Sequence, residues 1–294
     1  MRKFVLALPA AVLTLSLFAG AANAHDSAQY DPPYNELCGH YNSITEPYGF
    51  DWVRSNSQAG ARIIGAAAKI VARALWPCVH GDEVYKSKSL LLVNVQGTDS
   101  AGTFNFVQAG IGKVHNKDGT TQCSGANAMV NDQTHFIYTP DNTSGTFCRA
   151  HWVDFDNNGV PDNPINGRTY WITITQFNAP SGADYWRTCI KDVGAAKTDC
   201  VDRPRTTNDG GLAGNNAAWW GCEVGTKDNA LGVPSSLAKP TIRESAYQKA
   251  NVPGTWFYTE ESQVVAPWNS NPSRYRFSQS QSGLGESVEC YTTG

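Results

Sequence analysis

The sequence lacks the short motifs that mark several common classes of hydrolase and metal site. It contains no H-E-x-x-H, the helical zinc motif of many metallopeptidases, and no G-x-S-x-G, which holds the nucleophile of many serine hydrolases. It also has no C-x-x-C pair of the kind that binds structural zinc. A zinc peptidase is therefore not supported, and a serine hydrolase is poorly supported, although serine triads are defined by geometry rather than by sequence order.

Basic clusters and long apolar runs are absent as well. Residues 1–24 carry two basic and no acidic side chains, so the remainder carries 21 basic and 26 acidic side chains, a net charge of −5. An acidic chain without a basic run is not suited to nucleic acid. The apolar run Phe4–Phe18 is shorter than the ~20 residues of a transmembrane helix, and no later run reaches that length, so no membrane span is expected.

Residues 1–24 have the organisation of a secretory signal peptide. Arg2 and Lys3 precede the apolar run, and Ala22-Asn23-Ala24 has the small-x-small pattern of a cleavage site. A secreted, extracellular product is expected. All eight cysteines follow residue 24, and an even number in an exported chain indicates four disulfide bonds. Cys189–Cys200 is the preferred local pair, whereas the connectivity of the others cannot be read from the sequence.

Composition and periodicity from residue 89 onward indicate an all-β fold. The chain has two methionines against nine tryptophans, twelve tyrosines and 27 glycines, a composition that suits short strands joined by turns. About nine strands with little helix predict two packed antiparallel sheets. The loops at 115–133, 192–216 and 226–253 are expected to form the surface of a cleft. The predicted strands are Leu90–Gln96, Thr103–Val114, Thr134–Thr139, Gly145–Phe155, Thr169–Phe177, Tyr185–Lys191, Ala217–Gly225, Gly254–Ser262 and Arg274–Gln281.

One helix is predicted before the strands begin. Apolar residues recur at helical spacing between Ser57 and Leu75, a serine can cap the start, and Pro77 ends the run. Such a stripe usually packs on a core. We therefore expect three parts: the signal peptide at 1–24, an N-terminal segment with one amphipathic helix at 25–86, and a β-sandwich domain at 87–294. The middle part is also a candidate pro-segment.

The run Ala217–Gly225 places one acid inside an apolar strand. Because strand side chains alternate, Trp220, Cys222 and Val224 share one face, and Trp219, Gly221, Glu223 and Gly225 share the other. A carboxylate between two glycines beside an indole has open space around it. Partial burial there would raise the pKa of Glu223, which is how a general acid or base is tuned. The alternative is a structural glutamate in an ion pair.

The run Thr103–Gly112 places one amide in a similar setting. Phe104, Phe106, Gln108 and Gly110 share a face of the predicted strand, and Asn105, Val107, Ala109 and Ile111 share the other. A buried glutamine must satisfy its donors and its acceptor, and it can do so by holding a water or a developing oxyanion. The alternative is a core glutamine whose hydrogen bonds are all internal.

These stretches resemble secreted glutamic peptidases. Phe106–Ile111 looks like the glutamine-bearing strand of the eqolisin type and like the matching strand of the neprosin family, where a glutamate replaces the glutamine. Phe136–Thr139 and Tyr170–Ile174 resemble later strands of neprosin, and Trp220–Val224 resembles its strand with the second catalytic glutamate. The resemblance follows the same order and covers roughly residues 90–225. Cys222 departs from the neprosin pattern, which has a glycine there.

The resemblance implies a concanavalin-like antiparallel β-sandwich with a Gln/Glu dyad on one sheet. In that family mechanism Glu223 would be general base on a water and then acid to the leaving amine. Gln108 would orient the water and stabilise the oxyanion. Trp219 and Phe106 are predicted to contact a polypeptide substrate. Cleavage would be favoured at acid pH and would need no cofactor.

The loop Asp154–Asp162 has the spacing of a calcium-binding loop. Asp154, Asp156, Asn158 and Asp162 offer side-chain oxygens, Gly159 permits a sharp turn, and Val160 would offer its carbonyl. Position twelve of the motif is Ile165 rather than glutamate, so the loop is not a complete EF-hand. A structural Ca²⁺ is predicted, against the alternative of an acidic turn without metal.

Two other function classes stay open. Exposed tryptophans could stack on sugars, which would make the protein a lectin-like binder of polysaccharide. A glycosidase would need a second carboxylate ~5–10 Å from Glu223, and only Asp184, Glu260 and Glu261 are candidates. The third class is a catalytically inert β-sandwich that retains the dyad without using it.

Overall fold

A computed structural model describes the strands and several of their connections. The residues described are 48–55, 59–73, 75, 88–98, 104–114, 123–124, 134–140, 148–178, 184–204, 216–224, 241–260, 265–269, 275–281 and 285–292. These residues form 16 strands: β1 (Tyr48–Arg54), β2 (Ile63–Val71), β3 (Lys88–Thr98), β4 (Phe104–Val114), β5 (Cys123–Ser124), β6 (Thr134–Pro140), β7 (Cys148–His151), β8 (Thr169–Asn178), β9 (Asp184–Asp192), β10 (Lys197–Pro204), β11 (Asn216–Val224), β12 (Thr241–Lys249), β13 (Val252–Tyr258), β14 (Val265–Asn269), β15 (Tyr275–Gln281) and β16 (Glu286–Thr292).

The strands form two eight-stranded sheets. Sheet I has the order β14-β1-β11-β3-β4-β6-β7-β5, and sheet II has the order β10-β9-β8-β2-β12-β16-β15, with β13 paired to β12. Neighbouring strands are antiparallel except β5 and β7, which pair in parallel. The predicted antiparallel β-sandwich is confirmed.

One hydrophobic core lies between the two sheets. Sheet I contributes alternate residues of its central strands, such as Val93, Val107 and Trp220, each fully buried. Sheet II contributes Ala66 and Ile172, among others. The Trp220 indole N–H donates to the carbonyl of Ala67 at 2.8 Å and so joins the sheets directly. Because side chains alternate along each strand, the residues between those of the core in sheet I point to its outer face.

The predicted helix over Ser57–Leu75 is wrong, and the described residues contain no α-helix. The run forms strand β2, which lies in the middle of sheet II between β8 and β12. Its alanines have no exposed surface on either side of the strand, as at Ala66, Ala67 and Ala68. A continuous apolar run fits a doubly buried strand as well as a helix, and hydrogen bonds to two neighbours decide for the strand.

Strands β1 and β2 both lie within the residues 25–86 that the sequence sets apart from the sandwich. Strand β1 pairs with β11 and β14 in sheet I, and β2 is central in sheet II. Two predicted irregular connections also contain strands, because β10 lies within 192–216 and β12 within 226–253. The remaining predicted loop and the signal peptide lie wholly or largely outside the described residues.

The predicted disulfide Cys189–Cys200 is confirmed. The two cysteines are directly paired in the β9–β10 hairpin, with Cα atoms 4.1 Å apart. Cys222 is also disulfide-bonded, and no cysteine among the described residues is free. In the part of the chain that is described, no helix has the length and apolar character needed to cross a membrane.

Candidate active site

One row of cross-strand partners on sheet I brings five of its polar and aromatic side chains together. Gln108 of β4 is paired with Asn94 of β3 on one side and with Tyr138 of β6 on the other. Asn94 is in turn paired with Trp219 of β11, and Trp219 with Trp52 of β1. Directly paired residues point to the same side of a sheet. Because Val107 and Ala109 lie in the core, this row lies on the outer face.

Gln108 is largely covered although it lies on the outer face. Its exposed fraction is 8%, and that of its partner Asn94 is 7%. Both amides therefore lie in a setting with little bulk water. Hydrogen bonds are stronger there than in water, and an unpartnered polar atom costs more. Gln108 therefore lies on the face that the strand alternation predicts, and its side chain is largely buried.

Glu223 lies on the same outer face as Gln108 but is not its neighbour. Its backbone partner in β3 is Leu90, two side-chain rows beyond Asn94. From the strand spacing and the rise per residue, the Cα atoms of Glu223 and Gln108 would be ~16 Å apart in a flat sheet. The row between them contains Gly110, Leu92 and Gly221, and the side chain of Leu92 is fully buried between the two glycines. The functional groups of Glu223 and Gln108 would therefore meet through their side chains or through a ligand that lies over this row.

The charge of Glu223 affects the pKa of Tyr138, a residue of the Gln108 row. Burial raises the pKa of the Tyr138 phenol well above its ordinary value, and the negative charge of Glu223 raises it further. Tyr138 is the direct partner of Gln108 in β6. The Glu223 carboxylate is therefore close enough to the Gln108 row for its charge to act on Tyr138. Glu223 itself is half-buried.

Buried polar atoms without a hydrogen-bond partner occur in the same row, among them one of Asn94 and one of Trp52. The amide nitrogen Nδ2 of Asn94 donates to Oε1 of Gln96 at 2.7 Å, which leaves the Asn94 oxygen Oδ1 without a donor. The indole nitrogen Nε1 of Trp52 is buried and also without a partner. An orphaned buried donor or acceptor costs about 1–3 kcal/mol. Such atoms mark a surface that a ligand or a side-chain movement can complete.

The two residues predicted to contact substrate lie on the same face. Trp219 packs against Trp52 with ring centroids 4.7 Å apart and planes tilted by 46°. Both rings pack on a small apolar cluster of Leu90, Leu92 and Phe136. Phe106 lies one row beyond Gln108, opposite Gln96, on the side away from Glu223. Trp219 thus lies in the Gln108 row and Phe106 in the next row, whereas Glu223 lies beyond the row of Gly110, Leu92 and Gly221.

The predicted calcium loop brings its acids together. Carboxylate oxygens of Asp154, Asp156 and Asp162 all lie within 4.8 Å of one another. The backbone N–H groups of Asn158 and Gly159 donate to the two oxygens of Asp154 at 3.1 and 2.7 Å. Burial alone would raise the pKa of Asp154, but these hydrogen bonds outweigh it and hold the pKa below its ordinary value. Asp154 is therefore ionised and oriented.

The rest of that loop is organised around the same acids. Asn158 Oδ1 accepts the N–H of Val160 at 2.7 Å, and Asp162 Oδ2 accepts the N–H of Phe155 at 2.6 Å. The Val160 side chain is 62% exposed, so its place in the loop is set by its backbone. Asn157 and Gly159 have positive φ angles of 56° and 82°, which close the turn. Asp154 N–H donates to Asp199 of β10 at 2.9 Å, which ties the loop to sheet II.

Sequence reasoning missed Asn94 and Tyr138. Each is a polar group in an apolar strand, Asn94 within Leu90-Leu91-Leu92-Val93-Asn94-Val95 and Tyr138 within Phe136-Ile137-Tyr138. Alternation places each on one face, but only the register of β3, β4 and β6 shows that both are partners of Gln108. A polar residue at an alternating position of an apolar strand was the available signal.

Comparisons with known proteins return solved structures of low sequence identity. No family model matches the sequence, and no curated protein matches it. A scytalido-glutamic peptidase with a transition-state analog inhibitor matches over 85% of this chain and 100% of its own, with 10% identity and a TM-score of 0.47. SCP-B, an eqolisin-family peptidase in complex with a tripeptide, matches over the same shares with 10% identity and a TM-score of 0.46. A PL-14 alginate lyase from Aplysia kurodai matches over 55% of this chain and 70% of its own, with 10% identity and a TM-score of 0.24. At this identity and these scores, the matches assign no role to any side chain of this protein.

Proposed function

We propose that the protein is a secreted hydrolase of the glutamic-peptidase type, with Glu223 and Gln108 as its catalytic pair. The observation that carries the proposal is the charge of Glu223 acting on Tyr138, the direct partner of Gln108. Glu223 is also the sole carboxylate in the four adjacent strands β11, β3, β4 and β6. An acid and an amide on one half-buried face form the minimum set for activating water against a carbonyl.

In this mechanism Glu223 takes a proton from a water held between Glu223 and Gln108. The water attacks the carbonyl carbon of a peptide bond, and the carbonyl oxygen becomes an oxyanion. Gln108 donates an N–H to that oxyanion, where a positioned donor in a dry site is worth a factor of about 10²–10³ in rate. The protonated Glu223 then gives its proton to the leaving amine, and the acid is restored to its starting state.

The separation of the pair defines what the substrate must do. In the proposed complex a water and an extended peptide lie over the row of Gly110, Leu92 and Gly221, between the two functional groups. Trp219 in the Gln108 row and Phe106 in the next row would supply apolar contacts to substrate side chains. Both halves of the pair then act on one carbonyl only when that carbonyl lies between them, so peptide binding and catalysis are linked.

The proposal includes export and an acid working range. The signal-like residues 1–24 and the disulfide Cys189–Cys200 suit an oxidising extracellular compartment. Water attack assisted by a carboxylate needs Glu223 ionised, and protonation of the leaving amine needs a proton source. Both conditions are met together near the pKa of a carboxyl group, so cleavage is expected to be fastest at acid pH.

The test is digestion of casein by the purified mature chain across about pH 3 to 7. Cleavage insensitive to serine, cysteine and metal-directed inhibitors is expected. Glu223→Gln should abolish it, and Gln108→Ala should reduce it about 10²-fold or more. The matched control is Glu244→Gln, a half-buried carboxylate on sheet II paired with Lys69, which should leave cleavage unchanged. The absence of cleavage, or full activity in a folded Glu223→Gln, contradicts the proposal, and retention on a polysaccharide resin would favour the lectin-like alternative.

We also propose that the Asp154–Asp162 loop binds one structural Ca²⁺. Asp154, Asp156 and Asp162 would supply carboxylate oxygens, Asn158 a side-chain oxygen and Val160 its carbonyl, the hard oxygen ligands that Ca²⁺ prefers. The converging carboxyl groups fit this cation. Added Ca²⁺ should raise the melting temperature of chelator-treated protein, and Asp156→Asn should remove that rise. A melting temperature unaffected by Ca²⁺ contradicts the site.

A further inference from the structure

We propose that Asn94 is a positioning residue that fixes the orientation of the Gln108 amide by accepting one of its N–H groups. The inference rests on the proposed function of Gln108, and it names a partner that the dyad alone does not include. The starting observation concerns the two ends of the Asn94 amide. Its nitrogen Nδ2 donates a hydrogen bond, whereas its buried oxygen Oδ1 accepts none.

The first step concerns which end of Asn94 is available. Its Nδ2 donates to Gln96 Oε1 at 2.7 Å, and Gln96 lies two residues along the same strand face. This hydrogen bond turns the oxygen Oδ1 of Asn94 away from Gln96. Since the residue is 7% exposed and Oδ1 is buried, bulk water does not satisfy that oxygen. The missing donor must therefore come from a neighbouring group on the outer face.

The second step concerns which donor is nearest. Gln108 is the direct cross-strand partner of Asn94, and directly paired residues have Cβ atoms about 4.5–5.5 Å apart. The other partner, Trp219, has one donor, the N–H of an indole ring that is packed against Trp52, whereas the Gln108 amide has two N–H groups on a flexible side chain. In the proposed contact, a rotation about the terminal torsions of Gln108 brings its Nε2 to Oδ1 of Asn94. Catalytic hydrogen bonds are often long in the empty enzyme and shorten when the substrate binds.

The third step gives the consequence for catalysis. The Gln108 amide can lie in two orientations that differ by a half-turn, and only one presents N–H to an oxyanion. When one N–H of Nε2 is held by Asn94, the second N–H of the same nitrogen points away from it and can meet the carbonyl oxygen of the substrate. Gln96, Asn94 and Gln108 then form a chain of amides in which each oxygen accepts from the next nitrogen. The flexible Gln108 is thereby set before the reaction begins.

The experiment is a double-mutant cycle on kcat. Asn94→Leu removes the acceptor at similar volume, and it should lower kcat about tenfold or more while KM changes less than about threefold. In a Gln108→Ala background the same substitution should have no further effect on kcat. Gln96→Leu, at a half-buried position, should give a smaller fall because it frees Asn94 without removing it. Equal losses from Asn94→Leu in both backgrounds would mean a merely structural role and would overturn the inference.

A second readout does not depend on turnover. The side-chain amide of Gln108, assigned by its loss in Gln108→Ala, should give two well-separated proton resonances by NMR, with one shifted downfield by the bond to Asn94. Asn94→Leu should bring these two resonances together. If the wild type cleaves no peptide but these resonances respond, the proposed function fails while the contact stands. If cleavage occurs and the Gln108 resonances do not respond to Asn94→Leu, the inference fails while the proposed function stands.

Discussion

The charge of Glu223 raises the pKa of Tyr138 although their strands, β11 and β6, are separated in sheet I by β3 and β4. Burial is the larger cause of the raised pKa of Tyr138, and the carboxylate of Glu223 adds to it. The phenol therefore keeps its proton throughout the range in which a peptidase would work. It remains an O–H group beside Gln108 that can donate a hydrogen bond but does not carry charge.

The first prediction follows from these two causes. At about pH 11, where exposed tyrosines with a pKa near 10 are ionised, Tyr138 should still be protonated. Glu223→Gln should lower the pKa of Tyr138, because it removes the repulsion of a phenolate, but not to the ordinary value, because burial remains. Titration of ¹³Cζ tyrosine resonances, with Tyr138→Phe for assignment, measures both effects.

The control for this titration is Glu244→Gln. Glu244 lies on sheet II, where it is paired with Lys69 at 2.6 Å, and it has no part in the pKa of Tyr138. The Tyr138 titration curve should therefore be unchanged in that variant. A Tyr138 pKa that is the same in wild type and Glu223→Gln would place the carboxylate away from the Gln108 row and remove the main support for the dyad.

His135 provides a second prediction, concerning stability at acid pH. It is 1% exposed in the core beside Tyr170 and Phe155, with ring centroids 4.3 and 5.7 Å away. Burial lowers its pKa to about 3, and the charge of Asp192 opposes this only in part. Both ring nitrogens lack hydrogen-bond partners. The folded protein therefore holds this imidazole neutral at pH values where the unfolded chain protonates it.

The sign of the effect follows from linkage. Between the unfolded pKa near 6.5 and the folded pKa of about 3, the unfolded state binds one more proton, so the free energy of unfolding decreases as the pH falls. At pH 4 the loss from this residue is about 3 kcal/mol. Denaturant unfolding at pH 7.5 and pH 4 should show a smaller loss in His135→Leu. A His135 resonance that titrates near 6.5 in the folded protein would contradict this account.

This acid sensitivity bears on the proposed function. A peptidase that works near the pKa of a carboxyl group operates where His135 most weakens the fold. The disulfide Cys189–Cys200 joins two strands at the edge of sheet II, and a loop of this length stabilises by roughly 3 kcal/mol. The stabilisation by the disulfide is similar in size to the loss of stability that His135 causes at acid pH. Because the fold has less stability to spare at acid pH, an intact disulfide is expected to matter more there than at neutral pH.

Sequence patterns predicted the central strands well because alternation there is unambiguous. The predicted strand Thr103–Val114 corresponds to β4, Phe104–Val114, and Ala217–Gly225 corresponds to β11, Asn216–Val224. In each, one face is core and the other is not, so the faces of Gln108 and Glu223 were also predictable. The pattern failed for β2, whose alanines suit a helix in isolation and a crowded sheet interior in the folded chain.

What sequence could not supply is register. Gln108 is paired with Asn94, whereas Glu223 is paired with Leu90, and these pairings depend on how β3 aligns with both of its neighbours. A shift of two residues in either ladder would have kept every face and every core residue while bringing Glu223 nearer to Gln108. The alternation of apolar and polar residues is the same before and after such a shift, so it cannot determine the register. The distance between the members of a site on three strands is therefore a property of the folded sheet.

The position of β2 gives a third prediction, about the segment 25–86. Strand β2 is hydrogen-bonded along both edges, to β8 and to β12, and Ala66, Ala68 and Ile70 belong to the core. A chain restricted to residues 87–294 would lose this strand and leave two sheet edges and a strip of core exposed to water. It should not fold cooperatively when expressed alone.

Comparison of 87–294 with 25–294 measures this directly. Circular dichroism and thermal melting should show a cooperative transition in the longer chain and none in the shorter. Addition of a peptide spanning residues 48–73 should restore structure at least in part, because β1 and β2 both lie within it. A cooperative melt of 87–294 alone would mean that the segment is dispensable to the fold, as expected of a detachable pro-segment.

The last prediction concerns Gly110, where the backbone of the adjacent strand leaves no space for a side chain. A Cβ atom at this position would lie 1.9 Å from the carbonyl oxygen of Leu91 in the adjacent strand, and backbone atoms cannot move aside cheaply. Gly110→Ala should therefore destabilise the protein by about 3 kcal/mol or more, as a displaced β3–β4 ladder requires. Since Asn94 and Gln108 are paired in that ladder, activity should fall with stability.

Gly194→Ala is the matched control, since its Cβ would make an ordinary contact of 3.5 Å with Asp192, and urea unfolding should show little change there. If Gly110→Ala proved as stable as Gly194→Ala, β3 and β4 could not approach as closely as this register requires, and the pairing of Asn94 with Gln108 would be lost with it.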